Sequence, residues 1–227
     1  MAQLGDKVKF GSSMRALWVA VCLAAAGRAE AAFPGQELFA AEGCAACHRV
    51  AGRGGNTGPD LTLVGFRRSR QWLDLWLSGP AGWKKDTLMP DFKLKPGARG
   101  ALADYLASLN GPGYVPTPAG DPVARGRDVY LHAGCVACHG ARGAGGHPNN
   151  NVPGDAIPKL SGVAQAYTPA ELADRIRRGS HPAAKDPGGP EPLVAMPAWG
   201  AVLKDDEIEA VSAYLISLGG GKPQDGW

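Results

Sequence analysis

The chain has 227 residues, including 33 Gly, 19 Pro and 5 Cys, with a formal charge of +3; this length suits one large globular domain or two small ones. A content of 44% hydrophobic and 20% charged residues excludes a collagen, a coiled coil and a long disordered tail. The balance of 24 basic against 21 acidic side chains lacks the excess of positive charge that binding nucleic acid requires.

The first element is an export signal. Lys7, Lys9 and Arg15 precede an eleven-residue apolar run, Ala16 to Ala26, and Ala29-Glu30-Ala31 follows it. This charged, apolar, small-residue order predicts a signal peptide over residues 1–31, and with it a bacterial periplasmic location. The run is shorter than the ~20 residues that span a bilayer. An uncleaved segment acting as a membrane anchor is the alternative; acylation at Cys22 is disfavoured because bulky Val21 precedes it in the middle of the run. Cleavage near Ala31 removes Cys22 and leaves Cys44, Cys47, Cys135 and Cys138.

Along the mature chain, Leu38, Phe39 and Ala41 form the apolar stripe of a short helix that runs into Cys44-Ala45-Ala46-Cys47-His48. Pro59-Asp60-Leu61 follows, then a helix over Ser69 to Leu77, then Met89-Pro90, then an apolar helix over Ala101 to Leu109. Asn110 to Pro122, with four prolines and three glycines, reads as an extended linker. The same order then repeats. Val129, Tyr130 and Ala133 lead into Cys135-Val136-Ala137-Cys138-His139, followed by Pro158-Lys159-Leu160, a helix over Thr168 to Arg178, Met196-Pro197 and a helix over Ile208 to Leu218. In the fourth of these, Thr168 caps the helix, Pro169 takes its first position and Glu171 completes a capping box. No stretch alternates over the length of a buried strand, so the reading is all-α. Recurrence in fixed order means two homologous domains, over residues 32–110 and 123–227, joined by a linker at 111–122.

Chemistry is concentrated in the two Cys-x-x-Cys-His pentapeptides. One such motif arises by chance with a probability on the order of 10⁻³ at this composition, so a pair is no accident. Thiols at i and i+3 and an imidazole at i+4 lie on one face of a helical turn. Two sulfurs can add to the vinyl groups of a haem while the imidazole reaches the iron. A zinc site would gather four ligands in one place, and a thiol redox pair belongs near a βαβ pattern, which is absent here. Two covalently bound haem c groups are therefore expected, on Cys44, Cys47, Cys135 and Cys138, with His48 and His139 as axial ligands.

Subtraction narrows the choice for the second axial position. Met1 and Met14 leave with the signal, so Met89 and Met196 remain, one per haem, and thioether is a soft ligand suited to haem iron. His139 lies 57 residues before Met196, against 41 between His48 and Met89. The extra residues form loops, placed at Gly140 to Ala156 and His181 to Pro192. They carry His147 and His181, which compete with Met196 for the iron. Arg67, Arg68, Arg70, Trp72, Trp76 and Trp83 are candidate donors to haem propionates, without an individual assignment.

These residues together resemble the class I cytochromes c, twice over nearly the whole mature chain. The resemblance implies that the first helix of each copy crosses the last, with Gly35 and Phe39, and Gly126 and Tyr130, at the contact. It also implies that the carbonyls of Pro59 and Pro158 orient His48 and His139.

Closed coordination of both irons implies one-electron exchange and no catalytic residue. The expected function is a periplasmic dihaem carrier, with redox proteins as partners, between respiratory donors and a terminal oxidase or reductase. The alternatives are the electron-input subunit or haem enzyme of a thiosulfate- or alcohol-oxidising system, and a membrane-anchored subunit of a respiratory complex. Residues 32–118 hold ten basic and seven acidic side chains, and residues 119–227 hold ten and twelve, an asymmetry that would orient the carrier between unlike partners.

Overall fold

Proline punctuates the helices. In the computed structural model, which describes residues 34–111, 114–115 and 118–219, Pro34 starts α1 (Pro34–Ala41). Four more helices have proline in the first turn, where its missing N–H would be unpaired anyway. Residues 1–31, and Cys22 with them, lie outside the described residues. After α1, the first copy contains α2 (Val64–Arg67), α3 (Arg70–Ser78), α4 (Pro80–Trp83) and α5 (Pro96–Ser108). The second contains α6 (Pro122–His132), α7 (Val136–His139), α8 (Val163–Ala166), α9 (Pro169–Arg178) and α10 (Asp205–Ser217). The all-α reading holds. Among the described residues the only paired strands are two of two residues each, Arg49–Val50 and Arg53–Gly54. They are too short to alternate, and a turn with positive φ at Ala51 and Gly52 joins them in the twist that tight hairpins favour.

The expected cap of α9 is present, and α3 has one that the sequence reading did not name. Ser69 accepts from Trp72 N–H at the start of α3. Thr168 and Glu171 make the reciprocal capping box at α9, worth about 1 kcal/mol. Apolar residues at helical spacing then build two cores. One holds Phe39, Val64, Leu73, Leu77, Leu102 and Leu106; the other holds Val129, Tyr130, Ile176, Trp199, Ile208 and Val211 among others.

The crossings of first on last helix take the same form in both copies. A Cβ on Gly35 would lie 2.1 Å from the Ala101 carbonyl oxygen and 2.6 Å from Tyr105 Cβ. On Gly126 it would lie 1.9 Å from the Ala210 carbonyl oxygen and 2.8 Å from Tyr214 Cβ. Backbones this close admit only glycine. One turn on, Phe39 meets Tyr105 edge to face at 5.8 Å, and Tyr130 meets Tyr214 at 5.4 Å.

The first copy also reaches into the second core. Leu63, fully buried, packs there, a burial worth about 2 kcal/mol, and Phe66 meets Trp199 edge on at 5.3 Å. Next to them the buried Arg67 guanidinium donates to three carbonyls: Leu63 at 3.2 Å, Gly134 at 2.9 Å and Asp60 at 2.6 Å. Gly134 sits immediately before Cys135, so one side chain ties the α2 turn to the second Cys-x-x-Cys-His segment. From the linker, Tyr114 donates to Glu207 at 2.9 Å.

The two inserted loops of the second copy fasten to each other through three consecutive asparagines. Asn149 donates to the Val194 carbonyl and accepts from Val194 N–H, Asn150 does the same with Glu191 and Leu193, and Asn151 with Pro190 and Asp186. A side-chain amide matches a peptide group donor for acceptor, so this run acts as an extra strand edge for loops that have no strand of their own.

Candidate functional site

Gly43 closes α1 with φ 71°, and the chain turns through a 3₁₀ turn, Cys44–Ala46, that places His48 N–H on the Cys44 carbonyl at 3.0 Å. The His48 imidazole lies against Gly58, where a Cβ would stand 2.5 Å from the ring. Its Nδ1 is 2.9 Å from the Pro59 carbonyl, which can only accept. Nδ1 therefore carries the proton, and Nε2 keeps a free lone pair, the state a metal requires. Cys44 and Met89 both pack against the first core. Trp76 donates from Nε1 to Met89 Sδ at 2.9 Å, and the Trp76 ring stacks on Trp72 at 5.3 Å.

In the second copy Cys135 and Met196 pack against the other core. Cys135 and His139 are joined by the first turn of backbone bonds, His139 N–H to the Cys135 carbonyl at 2.9 Å. Tyr130 donates to the Gly140 carbonyl at 2.6 Å and so pins the end of the motif to α6. Burial pushes the Cys135 thiol up to about 12. Burial, with the charge of Arg68 and His147 nearby, pushes His139 down to about 4, so its imidazole is neutral at pH 7. His139 Nδ1 is buried without a partner at bonding geometry, and the Pro158 carbonyl is the group nearby that favours its protonated form. The residue before the proline is Ile157 here, where the first copy has Gly58.

Met196 is held from both sides of its backbone. Its N–H and carbonyl pair with Ser180 at 2.9 Å each, and Asn149 grips Val194 two residues earlier. Met196 and His181 line one cavity of about 340 Å³ together with Arg178 and residues 65–69 of the first copy. Met196 is half-buried and packs on the core, whereas His181 is exposed. His147 lies within electrostatic reach of Lys84, Arg68 and Asp86. Asn149→Ala should therefore loosen Met196 more than it loosens the fold. The expected result is a weaker near-infrared band of Met-ligated ferric haem and a stability loss of about 2 kcal/mol from the buried carbonyl and N–H left unpaired, measured by absorption and thermal unfolding.

Four buried polar atoms lack a partner among the described residues: Arg49 Nε, Arg68 Nη1, Trp72 Nε1 and His139 Nδ1. Each orphaned donor costs about 1–3 kcal/mol, unless something outside the polypeptide accepts from it. The three on Arg49, Arg68 and Trp72 suit the carboxylates of a haem, and the four described cysteines are free of disulfides. Both observations fit haem c. Of the other donors in that stretch, Arg70 pairs with exposed Asp104 at 2.7 Å, Arg67 is taken up by carbonyls, and Trp76 serves Met89. The sequence reading missed Arg49, whose only signal was that it follows His48.

The family model described as cytochrome c matches residues 32–110 and 123–219. The Cbb3-type cytochrome c oxidase subunit FixP of Bradyrhizobium diazoefficiens is 29% identical over 200 residues, 83% of this chain and 61% of that protein. A FixP subunit of the same description from Bradyrhizobium sp. is 30% identical over 200 residues, with the same 83% and 61% coverage. The Cbb3-type subunit CcoP of Azospirillum sp. is 28% identical over 208 residues, 84% of this chain and 64% of that protein. The chain thus spans less than two thirds of the length of these relatives. Each matched segment contains one Cys-x-x-Cys-His motif, one core against which its first cysteine packs, and one methionine on that same core. With two such segments, two covalently bound c-type haems and electron transfer as its chemistry, the chain belongs to the cytochrome c family.

Proposed function

We propose that the chain is an exported, periplasmic protein that passes single electrons between respiratory donors and a terminal oxidase or reductase and catalyses no reaction of its own. Cys44 and Cys47 hold one haem and Cys135 and Cys138 the other; His48 with Met89, and His139 with Met196, close the two irons. The observation that carries this reading is the sorting of the four packed sulfurs: Cys44 with Met89 on one core, Cys135 with Met196 on the other.

Each haem, when bound, supplies a one-electron iron couple. The polypeptide does the rest. The Pro59 carbonyl fixes the His48 tautomer so that Nε2 is ready to bind, and Gly58 leaves room for the ring. Trp76 aims the Met89 thioether by donating to its sulfur. Buried N–H groups on Arg49 and Trp72 would donate to the carboxylates of a bound haem, and the apolar cores exclude water, which favours an unchanged coordination in both oxidation states.

A protein closed in this way leaves no position for an added ligand. Reduced protein exposed to carbon monoxide should keep its spectrum at both haems; rapid binding at either would mean an open iron and an enzyme-like site. A second reading draws on the printed names of the relatives, which are oxidase subunits: the chain delivers electrons as the cytochrome subunit of a terminal oxidase. Among the described residues no helix is long and apolar enough to cross a membrane, so an anchor under this reading would come from elsewhere in the chain. Co-purification with oxidase subunits from detergent-treated membranes, with residues 1–31 retained in the intact mass, would favour it over the free carrier.

A further inference from the structure

Arg68 directly follows α2 in the first copy and yet belongs to the surroundings of both haem sites. It is only 7% exposed. Its guanidinium lies over the Trp72 ring, 4.4 Å from the centroid. That ring stacks on Trp76, which donates to Met89 Sδ, so the chain of contacts runs back to the first candidate iron. On its other side Arg68 lines the cavity that Met196 lines, and its charge reaches His139 and His147 of the second copy. Nη1 is buried and has no hydrogen-bond partner.

A guanidinium stacked on an aromatic face keeps its in-plane N–H groups free to bond. A buried cation with an unmade bond is costly, and a carboxylate is the acceptor that best offsets the cost. Of the other two arginines on the cavity, Arg178 already has Asp174 as its ion pair. Arg67, next in sequence, is fully engaged by Leu63, Gly134 and Asp60. Arg68 is thus the cation at this boundary left with a buried, unused donor.

We propose that Arg68, supplied by the first domain, completes the second haem site: its Nη1 donates to a propionate carboxylate of the haem held by Cys135 and Cys138. This rests on the two-haem reading above. The fixed positive charge raises the potential of the second haem, because it disfavours the more positive ferric state. A single side chain then makes the second potential depend on the first domain being docked.

The test is a redox titration of the full dihaem protein, with the first haem marked by the step that Met89→Ala displaces. Arg68→Gln should raise the oxidised-to-reduced ratio of the second haem at fixed potential about tenfold, a shift of ~59 mV for one electron. Arg68→Lys, which keeps the charge and the stem over Trp72, should hold that ratio within about threefold. Arg68→Leu serves as the neutral variant if the glutamine protein loses haem. An unmoved second haem, a shift confined to the first haem, or a lysine variant that shifts as far as the glutamine variant would each overturn the proposal. Failure of the underlying reading looks different: the unsubstituted protein would then lack two Met-ligated haem signals before any Arg68 variant is made.

Discussion

Met89→Ala should lower one of the two reduction potentials by about 0.1–0.3 V, part of the ~0.8 V range that axial ligands cover, and leave the other within a few hundredths of a volt. A thioether is a soft ligand and favours ferrous iron; water or hydroxide in its place favours ferric. The effect stays local because Met89 packs on the first core alone, while Met196 packs on the second. The variant also deprives Trp76 Nε1 of its acceptor, adding about 1 kcal/mol of destabilisation. A spectroelectrochemical titration reads the potentials, and carbon monoxide should now bind one haem per chain. Equal movement of both potentials would contradict the separation of the two sites.

Gly126→Val should be the most damaging single change to the fold. Even the Cβ alone would stand 1.9 Å from the Ala210 carbonyl oxygen and 2.8 Å from Tyr214 Cβ. The obstacle is backbone, so no rotamer can relieve it, and α6 and α10 must separate. Separation undoes the Tyr130–Tyr214 contact and opens the core around Ile208 and Val211. Overpacking of this kind costs about 3 kcal/mol or more, and for a domain of this size each kcal/mol lowers Tm by ~4–8 °C. Gly35→Val should do the same to the first copy. Gly162→Ala, at an ordinary negative φ with nothing within 4 Å of the added Cβ, is the control and should stay within about 0.5 kcal/mol. Thermal unfolding measured at the Soret band distinguishes these.

How much of this was legible in the sequence varies by the range of the interaction. Short-range signals read well: Thr168, Pro169 and Glu171 announce the start of α9 because capping is decided within one turn. The glycine and aromatic at each helix crossing followed from the resemblance, and the atoms meet there as implied. Nothing local marks Leu63 as a residue of the other copy's core, or Arg67 as the tie between Asp60 and Gly134, because those roles depend on how the copies pack. The hairpin at residues 49–54 escaped because two-residue strands have no period. The extra length of the second copy was visible by counting, but the pairing of its loops through Asn149, Asn150 and Asn151 was not; asparagines in a glycine-rich stretch look the same whether they face water or a backbone edge. The sequence grouped Arg68 and Trp72 with Arg70 as candidate donors and could not separate buried, unpartnered groups from one that pairs on the surface.

The central claim is that the chain carries two haems, each closed by the histidine of one motif and the methionine that shares its core. The most direct test is a redox titration of the purified protein followed in the near infrared, where ferric haem with a methionine ligand absorbs. Two one-electron steps are predicted, each removing a comparable share of that band, with the band gone once both are complete. A single step, or a step that leaves the band untouched, would contradict the account.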